Sequence, residues 1–297
     1  MALGQVWVVG EALIDLVPGI AGDDSAIVGG GPANTAKTLA GLGFESYFIG
    51  GISRDEFGHL ISRELEEAGV NLSHVQYSQR PTATARVLLD EEGRASYEFN
   101  LKGSATFDFS RSWLPGGTPE VIHIGTLATI VKPGASELFA WITGFKVPIV
   151  FDPNVRLAVI GDRDLYRKVV EKWVEISFVV KVSDEDIAHL YGARDVIDVA
   201  REWLTKGVAL VVITRGENGL VGVTSESLVE VAGVAVDVAD TIGAGDTVGA
   251  IVVEAIIEQG LAALESERLT LVLERAAKAA AITCSRVGAQ PPKRSEL

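Results

Sequence analysis

The chain has 297 residues, of which 47% are hydrophobic, so it can form a sizeable core, either as one large α/β domain with a small insertion or as two domains. Its formal net charge of −14 argues against nucleic acid and anionic membrane surfaces as partners, although a phosphate-bearing substrate needs only local donors. The single cysteine, Cys284, excludes an intrachain disulfide and a thiolate zinc cluster, and no apolar run approaches the roughly 20 residues that span a bilayer. We therefore expect a soluble, cytoplasmic protein.

A buried central strand is predicted close to the N-terminus. Residues 6–9 form a continuous apolar run that is closed by Gly10, as is typical of a strand buried on both faces. Residues 11–15 are expected to continue this strand and to place Asp15 just beyond the apolar stretch. Its carboxylate is expected to face a cleft or solvent, although an aspartate at a strand end is also common in a plain turn.

A glycine-rich turn and a helix follow in the segment GGGPANTAKTLAGLG, residues 29–43. Pro32 suits the first helical position and Gly43 suits the position after the last, so the helix limits are well marked. Asn34 lies in the first turn of this helix, where its side-chain amide can form hydrogen bonds to a ligand that approaches the glycines. The segment is not a GxxxxGK[ST] phosphate loop, a motif that the chain lacks.

The pattern changes in the next segments. Residues 46–52 are strand-like, and an amphipathic helix that ends at Ala68 follows them. Residues 82–101 then show two strand patterns around the turn residues 91–93, which predicts a β-hairpin. Because this hairpin interrupts an alternating series of strands and helices, it is interpreted either as an inserted lid or as an ordinary edge hairpin.

Strands and helices alternate again from Val121, which predicts right-handed βαβ units in a largely parallel sheet covered on both faces. The predicted strands are 121–125, 147–152, 178–182 and 208–214, with helices at 135–141, 166–174 and 195–204, then short strands at 219–224 and 228–231 and a last helix at 270–283. Ligands on such sheets bind at the carboxyl ends of the strands. The residues near those ends that could line a ligand site are Asp152, Asn154, Arg156, Ser183, Asp186 and Thr214, together with Gly216.

The segment DVADTIGAGDTVGA, residues 237–250, is the candidate for the chemistry, because its small residues let a ligand reach the backbone. Gly243, Ala244, Gly245 and Asp246 precede a long apolar run, so they are predicted to lie at a helix N-terminus. Unpaired N–H groups and the positive end of the helix dipole make such a start an anion site. A carboxylate beside it can take a proton from an attacking hydroxyl, so the arrangement indicates phosphoryl transfer.

Two other interpretations of this segment remain open. The glycines can form a tight turn in which Asp246 only caps the helix, since aspartate is a preferred capping residue. Alternatively, Gly243, Gly245 and Gly249 loosely match the GxGxxG fingerprint of dinucleotide-binding enzymes. That fingerprint follows a first strand and leads to a second strand with an acidic end, whereas an alanine-rich helix is expected here.

Taken together, GGGPANTAKTLAGLG and DTIGAGDTVGA resemble the two signatures of the PfkB, or ribokinase-like, family of sugar kinases, and the similar organisation covers essentially the whole chain. The resemblance implies an α/β fold with a mostly parallel twisted sheet, helices on both faces and a small β lid. Residues 1–297 would form one kinase domain, with the lid built from parts of 11–28 and 75–105. The resemblance also implies ATP and Mg²⁺ as cofactors, with K⁺ as a further candidate.

The same resemblance implies roles for individual residues. Asp246 would be the catalytic base, and Gly243, Ala244 and Gly245 would neutralise the γ-phosphoryl charge. The residues implied to hold the sugar are Asp15, Gly30, Gly31, Asn34, Arg156 and Asp246. Those implied along ATP are Lys181, Ser183, Thr214, Gly216, Gly219, Gly243, Gly245, Ala277 and Ala281.

The segment from Ser183 to Asp186 departs from the family's Asn-x-x-Glu, which arranges magnesium and the waters around the phosphates. Asp186 keeps the carboxylate in shorter form, or Glu185 replaces it, so the residue that orders magnesium is left open between these two. For a monovalent cation near the anion site, the resemblance implies Asp240, Ile242 and Ala289 as ligands.

The substrate is expected to be an unphosphorylated sugar, because the first signature reads Gly-Pro-Ala-Asn and lacks the lysine of Gly-Lys-Gly in phosphosugar kinases. Residues 11–15 and 152–156 look most like those of fructokinases, which implies transfer to the C6 hydroxyl of fructose. Kinases of 2-keto-3-deoxygluconate and of other sugars or nucleosides are the alternatives. Arg156 would contact phosphate or the carboxylate of an acidic sugar, or form a surface salt bridge. A non-catalytic sugar or nucleotide sensor and a homodimer formed through the lid are further hypotheses.

Overall fold

An eight-stranded, mainly parallel sheet forms the centre of the protein in the computed structural model, which describes residues 4–18, 24–89 and 95–297. In chain order the strands are β1 (Gln5–Val9), β2 (Leu13–Pro18), β3 (Asp24–Gly29), β4 (Glu45–Ile49), β5 (Gly51–Ser53), β6 (Gln76–Ser78), β7 (Thr84–Leu89), β8 (Ala95–Asn100), β9 (Val121–Gly125), β10 (Ile149–Asp152), β11 (Val179–Ser183), β12 (Leu210–Thr214), β13 (Leu220–Val223) and β14 (Leu228–Val231). The helices are α1 (Gly31–Gly41), α2 (Glu56–Glu67), α3 (Gly134–Ile142), α4 (Arg163–Val174), α5 (Asp184–Tyr191), α6 (Val196–Leu204), α7 (Ala244–Gln259) and α8 (Ser266–Cys284).

The large sheet has the strand order β14-β13-β12-β11-β10-β9-β1-β4. The strands from β12 to β4 are parallel, whereas β13 and β14 are antiparallel to their neighbours. Successive side chains of β1 enter different cores: Val6 and Val8 join the core that includes α1, α7 and α8, and Trp7 and Val9 join the one that includes α3 to α6. Continuous apolar runs suit strands that are buried on both faces, and the predicted α/β fold with helices on both faces is confirmed.

A separate four-stranded sheet has the order β3-β2-β7-β8. In it β2 pairs antiparallel with β3 and parallel with β7, and β7 and β8 form the predicted hairpin. The turn expected at residues 91–93 lies outside the described residues. The hairpin therefore belongs to a small sheet of its own, as the predicted β lid requires, and is not an edge hairpin of the large sheet.

Two strand predictions are wrong in the same way, because each apolar run crosses from one sheet to another at a glycine. Residues 11–15 do not extend β1, since the chain leaves the large sheet after Val9 and β2 belongs to the small sheet. Residues 46–52 are divided between β4 in the large sheet and β5, which pairs with β6. A methyl group at Gly50 would lie 2.5 Å from the Gly10 carbonyl oxygen, so the two breaks meet where no side chain fits.

Helix α7 is almost uniformly apolar. Among the described residues, the helical stretch Ala244–Leu264 is long and apolar enough to cross a membrane by length and composition, contrary to the expectation that no run approaches this length. Residues 246–256 are buried, however, and the helix packs against α1 and α8. The stretch is therefore a core helix, whose first turn lies beside the first turn of α1.

Candidate active site

The first turn of α7 is led by glycine and carries a carboxylate that faces inward. Gly243, the residue before the helix, has a left-handed backbone with φ 81°, and a methyl group there would lie 2.9 Å from the Ala289 side chain. Asp246 is buried at the third helical position. Its Oδ2 accepts a hydrogen bond of 2.9 Å from Nδ2 of Asn34. This geometry does not support the interpretation of Asp246 as a plain helix cap.

Asn34 comes from the other glycine-led helix start. Gly30, with φ 109°, precedes α1, whose first turn contains the predicted proline. A methyl group at Gly30 would lie 2.5 Å from the Glu11 carbonyl oxygen, so only glycine fits at this approach. Because α1 packs against α7, the first turns of the two helices meet and their polar side chains bond to each other. The two segments that the sequence singled out thus form one site.

A buried ion pair lies beneath the start of α7. Lys181 on β11 bonds Oδ2 of Asp152 on β10 at 3.0 Å, and both side chains are almost fully buried. A methyl group at Gly245 would lie 2.7 Å from the Lys181 ammonium, which places this positive charge directly against the first turn of α7. The charge adds to the helix dipole and to the unpaired N–H groups of the first turn. The start of α7 is therefore suited to an anion.

Asp246 titrates close to neutral pH. Its pKa is raised to about 6, first by burial and then by the negative charge of Asp152, against the lowering effects of Lys181 and Asn34. A carboxyl group with this pKa is mostly ionised at pH 7 and can still accept a proton readily, which suits a general base. The site thus combines a helix start that is suited to an anion with a carboxylate of appropriate basicity.

Asp15 and Arg156, both expected to hold the sugar, approach the site from different elements. Asp15 lies on β2 of the small sheet, and burial raises its pKa to about 6 while Arg156 lowers it. Arg156 follows β10 and is exposed, and its guanidinium donates to the Val155 carbonyl at 3.0 Å. Arg156 also lowers the pKa of Asp246, so its charge acts on both carboxylates. Their contact with a substrate stays a prediction.

Besides Lys181 and the glycines of α7, the residues implied along ATP come from the ends of two strands, the loops after them and helix α8. Thr214 ends β12, and Gly216 starts the short 3₁₀ turn that follows it. Gly219 packs so closely on the backbone of Val231 that a methyl group there would overlap the carbonyl oxygen. The remaining members are Ser183, which caps α5, and Ala277 and Ala281, which are nearly buried on α8. Their contact with a nucleotide also stays a prediction.

The two carboxylates considered for magnesium differ in burial and in the hydrogen bonds that they already accept from the protein. Asp186 is buried, its Oδ1 accepts from Val155 N–H at 2.7 Å, and its Oδ2 accepts from Ser183 N–H at 3.2 Å in a capping box. Glu185 is exposed. Of the two, Glu185 is the better fit for water-mediated contact with a phosphate-bound cation, because Asp186 already holds two backbone groups.

The residues considered for a monovalent cation are brought together beside Gly243. Asp240 accepts from Ile242 N–H at 3.0 Å and from Gly288 N–H at 2.9 Å, which ties the segment before α7 to the turn after α8. Ala289 lies against Gly243 in the same place. Carboxylate and carbonyl oxygens fit a hard cation, so the donor set is compatible with the predicted K⁺ site.

Buried polar residues that the sequence reasoning did not select also surround the site. Glu11 accepts from Leu127 N–H at 3.3 Å and from Ala128 N–H at 3.0 Å, and its pKa is raised to about 7, mainly by burial. Within the part of the chain that the structure describes, neither ring nitrogen of His123 on β9 has a hydrogen-bond partner, and burial lowers its pKa to about 3. A glutamate directly after a strand is a signal that could have marked Glu11, whereas His123 lies inside an apolar run that predicts only a strand.

The dinucleotide-binding interpretation is contradicted by the order of elements. The GxGxxG fingerprint needs a preceding first strand and a following second strand. Here the glycines come after β14, and α7 leads through a short 3₁₀ turn into α8. The helix pair leaves no strand to hold a ribose at the required place.

Comparisons with known proteins cover nearly the whole chain. A model of the pfkB family carbohydrate kinases matches residues 4–296. Fructokinase from Escherichia coli is 30% identical over 304 residues, with 99% of this chain and 98% of that protein covered. The structure of fructokinase from Vibrio cholerae with fructose, ADP and a calcium ion has a TM-score of 0.86 and 28% identity, and covers 97% of this chain and 94% of that one. Fructokinase from Xylella fastidiosa with bound ATP has a TM-score of 0.90 and 25% identity, with 98% and 96% covered.

Proposed function

Because the chain belongs to the pfkB family of carbohydrate kinases, we propose that it transfers the γ-phosphoryl group of ATP to the primary hydroxyl of an unphosphorylated sugar, with fructose as the favoured substrate and fructose 6-phosphate as product. The observation that carries this proposal is the buried carboxylate of Asp246 at the glycine-led start of α7, held by Asn34. We place the reaction in the cytoplasm.

Asp246 would remove the proton from the attacking hydroxyl. One carboxylate oxygen is occupied by Asn34, so the other can face the sugar. The pKa of about 6 leaves the group ionised at neutral pH. A positioned general base of this kind typically contributes about 10²- to 10⁴-fold to the rate. The hydroxyl oxygen then attacks the γ-phosphorus, the bond from that phosphorus to the β,γ-bridging oxygen breaks, and ADP leaves with this oxygen while the proton stays on Asp246.

The start of α7 would stabilise the charge of the transferring group. The N–H groups of Gly245 and Asp246 lie in the first turn, where a helix supplies no partner for them. The Lys181 ammonium lies against the same turn. Mg²⁺, which accompanies ATP in most phosphoryl transfers, would neutralise the phosphate oxygens, with Glu185 or Asp186 ordering its waters. K⁺ beside Asp240 would be a second cation; a double mutant of the Vibrio cholerae enzyme was crystallised with fructose, ADP and potassium.

An unphosphorylated substrate is also supported by the environment of Lys37, the one lysine that the segment GGGPANTAKTLAGLG does contain. Lys37 is buried on α1, and its ammonium pairs with Glu64 at 2.7 Å. This lysine is therefore not available to bind a phosphate on the sugar. Fructose is favoured among such sugars because the relatives at about 30% identity bear the name fructokinase. A kinase of 2-keto-3-deoxygluconate is the second candidate, since the exposed Arg156 guanidinium could pair with a sugar carboxylate.

A panel of sugars tests the proposal. Purified protein with ATP and Mg²⁺ is assayed for sugar-dependent ADP release on fructose, glucose, ribose, 2-keto-3-deoxygluconate, adenosine and fructose 6-phosphate. We expect the highest kcat/KM on fructose and none above background on fructose 6-phosphate. Preference for the keto-acid would select the second candidate, and binding without ADP release on any member would favour a sensor. Sedimentation of the same sample tests the proposed homodimer through the small sheet.

A further inference from the structure

A surface hollow of about 350 Å³ lies between α2 and the β5–β6 pair, and none of its lining residues belongs to the site described above. Four of these residues come from α2 and share one face of that helix, since they are spaced by three or four positions. They face Tyr77 on β6 and Arg54, which directly follows β5. The complete lining is Arg54, His59, Ser62, Arg63, Glu66 and Tyr77.

The charges around the hollow are opposite to the charge of the molecule as a whole. Two guanidinium groups and an imidazole surround it, against the single carboxylate of Glu66, in a chain whose formal net charge is −14. Within residues 4–18, 24–89 and 95–297, the exposed side chains of Arg54 and Arg63 have neither an ion-pair nor a hydrogen-bond partner. Other exposed arginines, such as Arg80 and Arg194, each pair with a carboxylate. The hollow therefore offers positive charge that the described residues do not neutralise.

Some of the donors around the hollow are already held in place. The Arg54 guanidinium lies over the Tyr77 ring, 5.4 Å from its centre. The Tyr77 hydroxyl is 3.4 Å from the Ser62 hydroxyl, and the Arg54 N–H donates to the Ser78 carbonyl at 2.9 Å. A guanidinium that is stacked on a ring keeps its N–H groups available, and their planar fork matches two oxygens of a carboxylate or a phosphate. The arrangement is therefore suited to an oxyanion.

We propose that this hollow binds a small organic anion with at least two negative charges, carried by phosphate or carboxylate groups, and that Arg54 and Arg63 make its main contacts. Its volume lies at the lower end of the roughly 300–1,000 Å³ that small-molecule sites occupy. The lining contains one aromatic ring and no aliphatic side chain, so it provides little surface for an apolar ligand. The anion would bind separately from ATP and the sugar.

The hollow is joined to the small sheet through Asp55, which follows its first arginine. The Asp55 carboxylate accepts from the Thr82 hydroxyl at 2.6 Å and from the Thr82 N–H at 2.8 Å. The carbonyl of the next residue, Ala83, accepts from the Ile14 N–H at 3.1 Å. Ile14 directly precedes Asp15 on β2. An anion in the hollow should therefore change the affinity for the sugar, a consequence that rests on the proposed function because it requires a sugar beside Asp15.

Isothermal titration at constant ionic strength tests the site without any assay of activity. The probes are glycerol 3-phosphate, malate and acetate. We expect glycerol 3-phosphate, malate or both to bind with one site per chain, and the tighter of the two identifies the preferred group. Acetate, which has a single charge, should bind at least about tenfold more weakly than the tighter probe, since it can engage only one guanidinium fork.

Substitutions in the hollow show whether the anion lies there. Arg54→Gln and Arg63→Gln should each weaken binding at least about tenfold, the size of a hydrogen bond to a charged group. Glu66→Gln should tighten binding, because it removes the one negative charge of the lining. Glu67→Gln, at the adjacent exposed glutamate, and Arg201→Gln, at an exposed arginine of α6, are the matched controls and should bind as the wild type does. The proposal is overturned if neither dianion binds the wild type, or if Arg54→Gln and Arg63→Gln bind as tightly as it does, which would place the anion elsewhere.

The same titrations with saturating fructose test the connection to the small sheet. We expect the Kd of the anion to change by at least about fivefold, the lower end of typical coupling between two sites, and the Kd of fructose to change by the same factor. Thr82→Val removes the hydroxyl bond to Asp55 and leaves the hollow intact, so it should reduce this factor. An anion Kd that is equal with and without fructose would disprove the connection. If fructose does not bind at all, the proposed function fails, whereas the anion site is still decided by the substitutions in the hollow.

Discussion

The starts of α1 and α7 are both led by glycine and lie side by side, but they present different chemistry. The first turn of α1 contains Asn34 and no acidic residue, and the space in front of Gly31 is bounded by hydroxyl, amide and carboxylate atoms. The first turn of α7 contains Asp246, and Gly245 lies against the Lys181 ammonium. We infer that α1 faces neutral sugar hydroxyls and α7 faces phosphate.

We infer from this difference that the glycines make room at a helix start, and that the residues of the sheet beneath it decide which ligand would bind there. Beneath α7, the Lys181 ammonium pairs with Asp152 and is the member of the pair that lies against the first turn at Gly245. In front of α1, the turns after β9 and β10 supply hydrogen-bonding groups. The bond between Asn34 and Asp246 couples the two starts at the position where the transferred group would pass.

Removal of the base should have the largest effect. Asp246→Asn keeps the size of the side chain and one acceptor for Asn34, but it cannot take a proton. We expect kcat to fall by about 10²-fold or more, while the KM for the sugar stays within a few-fold. Steady-state kinetics with ADP detection measure both. Asp237→Asn, at an exposed aspartate of the same segment, is the control and should retain wild-type kinetics; a fully active Asp246→Asn would contradict the role of α7.

A methyl group added at the start of α1 should affect binding of the sugar, whereas one added at the start of α7 should affect binding of ATP. In Gly31→Ala the methyl group would occupy the point within 3.2 Å of Thr126, Asp246 and Asn154. We expect the KM for the sugar to rise at least about tenfold, since the methyl group would push against the polar side chains that surround the start of α1, with little change in the KM for ATP. In Gly245→Ala the methyl group would lie 2.7 Å from the Lys181 ammonium and displace it. This variant should raise the KM for ATP and lower kcat by a similar factor.

Gly41→Ala is the matched control for both substitutions, because the methyl group there would lie 3.7 Å from the nearest atom, an ordinary contact in the same helix α1. Its kinetics should equal those of the wild type. If Gly31→Ala and Gly245→Ala changed the same kinetic parameter, the division between a sugar side and a phosphate side would be wrong.

The sequence was sufficient for the two helix starts because their signals are local. Gly30, Pro32 and Gly43 mark the limits of α1 through backbone conformations that only certain residues adopt. The Val/Ile runs of β9 to β12 likewise identify strands buried on both faces. Helix α5 was not predicted, because the polar residues 183–186 were interpreted as ligand-binding residues. In the structure, Ser183 and Asp186 instead form the capping box at the start of this helix.

The positions of the side chains around the two helix starts could not be predicted, because they depend on the register between strands that are distant in sequence. The pairing of Lys181 with Asp152 requires β10 and β11 to lie side by side in one register. The turn after β9 is held by hydrogen bonds from Leu127 and Ala128 to Glu11, which is far away in sequence. The departure of residues 11–15 from the large sheet could not be predicted either, since a strand pattern in the sequence does not indicate which sheet the strand joins.

The ion pair beneath α7 should set the pH dependence of the reaction. The pKa of Asp246 is about 6, lowered by Lys181 and raised by Asp152, and activity requires the ionised form, so kcat/KM should fall as the pH decreases through about 6. Lys181→Met should move this acid limb to higher pH, and Asp152→Asn should move it to lower pH. The other groups that act on Asp246, which are Glu11, Asn34 and Arg156, stay unchanged in both variants.

Profiles of kcat/KM between pH 5 and 9 measure these shifts. Either substitution leaves a buried charge without its partner, which typically costs about 3–5 kcal/mol, so melting temperatures must accompany the kinetics. The double variant Asp152→Asn/Lys181→Met removes both charges and should have an acid limb between those of the single variants. Shifts of the same sign in both single variants would show that the pair acts through the fold rather than through its charges.

The smallest effect on kcat is expected from substitution of His123, whose side chain also lies beneath α7 but carries no charge at neutral pH. Its ring is 3.5 Å from a methyl group built on Gly249, and its pKa is lowered to about 3 by burial and by Lys181. Because the unfolded chain binds a proton at a pKa near 6.5, the free energy of unfolding should fall by up to about 1.4 kcal/mol per pH unit as the pH drops from 6.5 toward 3. His123→Leu should remove this loss and keep kcat, whereas a change at the exposed His189 should leave the loss in place. Urea unfolding at several pH values measures the difference, and a loss of kcat in His123→Leu would show that α7 depends on this ring as well as on Lys181.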